Sequence, residues 1–208
     1  AAAAEYHLFA TTLDLAPDTD AGTEARAIVA ELSTMPERPT AVALRGGLRY
    51  VRHWEETGGA DSAPDLSGEG FVRVTGGAGA VGRLLVRRLA ALGAARIGVV
   101  GRSRLDTAAV AELAALVPSA ELAYLSCDVT DGSAVRAAVR DLSLRWGPLT
   151  GVVHASGRAL PFGSHRNRAE EDAAGVLAPK IAGSDHVLDV AGEHGARFVV
   201  FVSSVAGE

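Results

Sequence analysis

The sequence predicts an α/β protein built on a Rossmann-like, doubly wound parallel sheet, and three observations predict it. Apolar strand-like runs alternate with amphipathic helical runs from Phe71 to Ser203. The first strand of that series, Val72-Arg-Val-Thr75, runs straight into the glycine turn Gly76-Gly-Ala-Gly-Ala-Val-Gly82 and then into a helical pattern. A run such as Phe198-Val-Val-Phe-Val202 is apolar at every position, as strands covered on both faces are.

Taken in order, residues 5–15 are rich in aromatic, β-branched and aliphatic side chains and are closed by the turn formers Ala16-Pro-Asp-Thr-Asp20, which predicts a strand. Ala25, Ile28, Val29 and Leu32 recur at helical spacing, and Pro36 and Pro39 end that pattern. Ala41–Arg45 and Leu48–Arg52 flank Gly46-Gly47, a two-residue hairpin signature. A strand, a helix and a hairpin are too little for an independent domain, so residues 1–57 are expected to be the end of a larger unit. Residues 58–70 are small, polar and poor in large apolar side chains, and read as a linker.

Residues 71–208 carry the alternation. Strands are expected at Phe71–Thr75, Arg96–Gly101, Leu122–Cys127, Leu149–Ala155 and Phe198–Ser203. Helices are expected at Ala80–Leu92, Thr107–Leu116, Asp131–Trp146 and, as one long segment, Ala169–His194.

Composition narrows the function. A net charge of −5 without a dominant basic stripe argues against nucleic-acid binding, which needs clustered Lys and Arg on phosphates. Cys127 is the only cysteine, so no intrachain disulfide forms and a reducing, cytoplasmic setting is expected. No apolar run is long enough to span a bilayer, and Ala1–Ala4 lacks the features of a signal peptide. No metal is expected.

In a doubly wound sheet the ligand lies beyond the carboxyl ends of the strands. Gly77, Gly79 and Gly82 have the G-x-G-x-x-G spacing that lets a backbone turn tightly and approach a pyrophosphate, with the positive end of the following helix facing it. Arg102 falls 20 residues after Gly82, where an acidic residue would hold a ribose 2′-hydroxyl; an arginine suits a 2′-phosphate, hence NADPH. Asp128 could accept from an adenine amino group while the Val129 backbone lines the ring. It could equally cap the next helix, but Asp131 is the better cap and frees it. Ala155-Ser156-Gly157 are small enough to let a ribose and nicotinamide approach the backbone. His154, at the end of a buried strand, reads as a hydrogen-bonded packing residue. Lys180 and the pair Ser203-Ser204 are unremarkable alone: a lysine on a helix is usually solvated, and strand-ending serines usually bond locally.

Together these residues resemble the ketoreductase domains of polyketide synthases, in the short-chain dehydrogenase/reductase superfamily. The resemblance is carried by Thr75–Gly82, Gly101-Arg-Ser103, Cys127-Asp-Val129, Val153–Gly157, Leu177-Ala-Pro-Lys180 and Val202–Gly207, in the family's order. Ala43–Val51 is similar to the end of the family's N-terminal structural subdomain, a degenerate Rossmann unit. The resemblance implies that Lys180 and Ser204 are the active-site lysine and serine. It implies a cofactor set of Thr75, Gly77, Gly79, Ala80, Val81, Gly82, Arg102, Ser103, Asp128, Val129, Ala155, Ser156 and Gly157. It implies NADPH, a β-ketoacyl chain on the phosphopantetheine of an acyl carrier protein, and other synthase domains as partners, and it leaves a dimer in the intact synthase open.

Two departures qualify the resemblance. The family's tyrosine and asparagine follow the serine pair, whereas the tyrosines here are Tyr6, Tyr50 and Tyr124. An incomplete ketoreductase is expected, inactive by itself. The loop Arg158–Phe162 lacks the Leu-Asp-Asp signature that accompanies one alcohol configuration in the family, so product stereochemistry stays open. Two rival readings stand at this point: a short-chain enzyme acting on nucleotide sugars with NAD, and a non-catalytic structural module of a megasynthase.

Overall fold

A computed structural model of the chain describes residues 11–17, 19–34, 40–53, 55–56, 58, 65–158 and 169–203. The chain divides into two compact units, residues 1–60 and 61–208. No helix among the described residues is long and apolar enough to cross a membrane.

The first unit comprises β1 (Thr11–Leu15), α1 (Ala21–Thr34), β2 (Thr40–Arg45) and β3 (Leu48–Val51) in a sheet of order β1-β2-β3. β1 and β2 run parallel, joined through α1, while β2 and β3 are antiparallel. The expected hairpin is present because Gly46 (φ 54°) and Gly47 (φ 78°) both take the left-handed conformation that such a two-residue turn requires. Residues 5–10 of the expected first strand lie outside the described residues. Arg49 reaches the buried Glu31 of α1 with two hydrogen bonds, 2.8 and 2.6 Å, a bidentate pair that ties the hairpin to its helix.

The second unit is a five-stranded parallel sheet of order β6-β5-β4-β7-β8. Its strands are β4 (Phe71–Thr75), β5 (Arg96–Gly101), β6 (Glu121–Ser126), β7 (Leu149–His154) and β8 (Phe198–Phe201). Its helices are α2 (Ala80–Ala91), α3 (Thr107–Ala115), α4 (Gly132–Trp146), α5 (Glu170–Leu177) and α6 (Ala182–Glu193). Alternation along β4 and β5 divides the core in two. Val72, Val74, Ile97 and Val99 pack with Val86 and Leu89 of α2 and Leu113 of α3. Phe71 and Val100 pack with Val139, Leu142 and Trp146 of α4 and Val187 and Val190 of α6. The sheet is therefore covered on both faces, which is why its central strands carry apolar side chains at consecutive positions.

The strand order reverses at β4, with β5 on one side and β7 on the other, so a crevice opens beyond the carboxyl ends of these strands. One expectation is corrected: 169–194 is two helices. Pro179 lies in the turn at 178–181 between α5 and α6, because its ring has no N–H to give and clashes with the carbonyl a turn earlier.

Candidate functional site

A cavity of about 720 Å³ lies at that crevice, within the size range of small-molecule sites. Gly79, Ala80, Val81, Gly82, Arg102, Ser103, Val129, Ala155, Ser156 and Gly157 line it, bringing ten of the expected residues together from four different loops.

The glycine turn shapes one wall. A Cβ on Gly82 would lie 2.2 Å from the Gly76 oxygen and 2.5 Å from the Gly77 Cα, so α2 can begin against the turn only with glycine there. Gly76 itself takes φ 70°, and a Cβ on it would meet the Ala155 oxygen at 2.6 Å. Gly76 stands outside the Gly77-Gly79-Gly82 spacing, and its signal in the sequence is the strand-ending Thr75-Gly76 pair. Gly79 is the N-cap of α2 and has no side chain with which to cap it, so among the described residues no side chain covers the first-turn N–H groups of Ala80, Val81 and Gly82. Uncapped donors on residues lining a cavity suit an anion such as a pyrophosphate.

Three expected residues do not line the cavity but shape it. Gly77 is buried, and a Cβ there would meet Val99 Cγ1 at 2.7 Å. Asp128 Oδ1 accepts from the Thr130 N–H (2.9 Å) and hydroxyl (2.8 Å), which fixes the loop carrying Val129. Asp131 is the cap of α4, accepting from the Ser133 and Ala134 N–H groups. Thr75 is fully buried and its hydroxyl lies 2.8 Å from His154 Nδ1.

His154 Nε2 lies 2.9 Å from the Pro179 carbonyl, which can only accept, so Nε2 carries the proton and Nδ1 accepts from Thr75. The imidazole thus ties the end of β4, the end of β7 and the α5–α6 turn together, and packs edge-on against Phe201. Burial above all holds its pKa below 6.5; the Pro179 carbonyl opposes this, and the Arg73 and Lys180 charges add to it. A neutral form favoured by folding contributes stability that is complete above pH ~6.5 and is lost as pH falls from there through the folded value. The urea midpoint is expected to drop between about pH 7.5 and about pH 5.5, and His154→Gln to flatten that drop. Parallel pH profiles for the two proteins would refute this.

Pro179 places Lys180 beside the site. The lysine is exposed, and its Nζ lies 4.0 Å from where a Gly157 Cβ would stand. Ser204 lies outside the described residues. Cys127 lines the cavity, but burial pushes its thiol up, more than the nearby Arg73 pulls it down, which disfavours a thiolate nucleophile. Tyr124, Leu105, Arg158 and Pro179 also line the cavity without a motif that marks them for it; Tyr124 enters from mid-strand β6, where alternation alone reads as packing.

The fold and the position of the crevice are those of the Rossmann-like class. The chain belongs to the ketoreductase family: the model described as "KR domain" matches residues 70–208. Polyketide synthase ThaG of Burkholderia thailandensis is 36% identical over 151 residues, covering 71% of this chain and 3% of that protein. Polyketide synthase GfsB of Streptomyces halstedii is 39% identical over 178 residues, covering 82% of this chain and 3% of that protein. A ketoreductase domain from the bacillaene assembly line superposes with a TM-score of 0.86 at 28% identity, covering 99% of this chain and 49% of its own. The chain therefore spans a small part of these synthases and about half of a solved ketoreductase domain. The family and fold imply a nicotinamide cofactor.

Proposed function

We propose that the chain carries the NADPH-binding part of a β-ketoacyl reductase site. Its substrate is a β-ketoacyl group held on an acyl carrier protein, its product the β-hydroxyacyl group, and its setting a cytoplasmic polyketide synthase. The observation that carries this is one cavity lined jointly by the uncapped start of α2, by Arg102 and by Gly157, with Lys180 Nζ beside Gly157.

The residues fit the cofactor. Gly76, Gly79 and Gly82 put no Cβ of their own between the backbone and a pyrophosphate, and the α2 N–H groups of Ala80, Val81 and Gly82 would donate to it. Arg102, with Ser103, would hold a 2′-phosphate, and Val129 would line the adenine. Ala155, Ser156 and Gly157 would flank the nicotinamide ribose. The bound nicotinamide supplies a hydride.

The chain's own residues then manage charge. Ser204 would supply a hydroxyl to the substrate carbonyl oxygen as it gains negative charge, and Lys180 would supply a cation nearby. The resemblance implies a tyrosine as proton donor, its pKa lowered by the Lys180 cation. Tyr124 is not that group, since its hydroxyl donates to the Ser103 carbonyl. These 208 residues alone are expected to bind NADPH without reducing a ketoacyl thioester.

Arg102 tests the cofactor assignment. Arg102→Ala is expected to weaken NADPH binding at least about tenfold, the worth of a charge-assisted hydrogen bond, with NADH affinity unchanged. A wild-type chain that binds NADH as tightly as NADPH would overturn it.

A further inference from the structure

The loop that follows β5 is held from outside itself. Tyr124 and Ser126 both stand on β6, in register with Val99 and Gly101 of β5. The Tyr124 hydroxyl donates to the Ser103 carbonyl at 2.6 Å, and the Ser126 hydroxyl donates to the Arg102 carbonyl at 3.2 Å. Two consecutive carbonyls, those of the residue proposed to meet the 2′-phosphate and of its neighbour, are thus fixed by hydroxyls from the adjacent strand. Gly101 makes this seat: a Cβ there would lie 2.8 Å from the Tyr124 oxygen. A larger residue at 101 would displace the hydroxyl that the loop depends on.

The consequence concerns the arginine. Arg102 and Ser103 are exposed, and among the described residues the Arg102 side chain makes no hydrogen bond or ion pair; only its backbone carbonyl is held, by Ser126. A free guanidinium on an unanchored loop would give up both backbone and side-chain freedom on meeting a phosphate, and that loss subtracts from affinity. Anchoring the backbone from β6 removes the first part of the cost in advance. The Tyr124 ring meanwhile lines the same cavity as Arg102, so the anchor is part of the site wall rather than remote from it.

We propose that Tyr124 is a positioning residue for cofactor choice: through the Ser103 carbonyl it holds the Arg102 loop in the geometry that favours a 2′-phosphorylated dinucleotide. This rests on the NADPH reading above. Dissociation constants for NADPH and for NADH are measured by titration on the wild-type chain and on Tyr124→Phe, Arg102→Ala and the double variant, with thermal melts confirming that each is folded. Tyr124→Phe keeps the ring and removes only the donor, so it is expected to weaken NADPH roughly fivefold, the worth of one neutral hydrogen bond, and to leave NADH unchanged. In the Arg102→Ala background the same change is expected to do nothing, because Tyr124 acts through that loop.

Ser126→Ala, which removes the second anchor, supplies an independent variant with an effect of the same sign. If Arg102→Ala lowers NADPH affinity while Tyr124→Phe and Ser126→Ala do not, the positioning role is overturned and the cofactor reading stands. If Tyr124→Phe weakens both cofactors equally, Tyr124 is a packing residue of the adenine wall and the proposal also fails. If Arg102→Ala leaves the preference intact, the cofactor reading itself fails.

Discussion

Arg73→Met is expected to stabilise the protein by about 1–4 kcal/mol, read as a higher urea midpoint at unchanged slope. Arg73 lies on β4, the middle strand of the five, and is fully buried; none of its three side-chain nitrogens has a hydrogen-bond partner among the described residues. A central strand gives the guanidinium no path to water, unlike an arginine at an edge, whose stem can lie on the surface while its head stays wet. Loss of hydration lowers its pKa to about 10, with the neighbouring Cys127 pulling the other way. That fall corresponds to roughly 3 kcal/mol. At neutral pH the group is still charged, so the penalty is carried in full, and it eases only as pH rises through about 10. Methionine keeps a flexible chain of similar reach and needs no partner. A lower midpoint for the variant would show that Arg73 is satisfied in solution.

On the proposed β-ketoacyl reductase reading, Lys180→Met, made in the full-length protein, is expected to lower the reduction rate about 10²–10⁴-fold, the usual range for losing a group that serves proton transfer. Lys180 is exposed, and its amine stands beside Gly157 at the cavity wall. Its removal should shift the fold's stability by less than about 0.5 kcal/mol and the NADPH dissociation constant little, placing the whole effect on kcat. The pH profile should change as well, since the cation no longer depresses the pKa of the proton donor. Unaltered turnover would remove the lysine from the mechanism.

Much of the second unit was legible because local signals agreed with the fold. Phe71–Thr75 and Arg96–Gly101 are strands with the expected limits, since turn glycines and an apolar run mark both ends of each. Asp131 caps α4 for the reason its place before the helix suggested. The segment 169–194 was misread because periodicity runs through Pro179, and only the backbone chemistry of proline divides it. Within the site, the motif glycines were visible at once. Their separation into Gly82, which lines the cavity, and Gly77, which packs beneath it on Val99, depends on which atoms a Cβ would meet. Arg73 was invisible as an anomaly: in sequence it is one polar residue in an apolar strand, and only the five-strand order makes its position central. Tyr124 was hidden likewise, because its hydroxyl acts on Ser103, 21 residues away.

These residues are proposed to form the cofactor side of a β-ketoacyl reductase. The most direct test is a single turnover of the intact synthase module with a β-ketoacyl group loaded on its carrier protein, following NADPH absorbance and the mass of the acyl chain together. One β-hydroxyacyl group is expected for each NADPH consumed, the chain gaining the mass of two hydrogens. A ketoacyl chain that persists unreduced while NADPH remains unspent would contradict it.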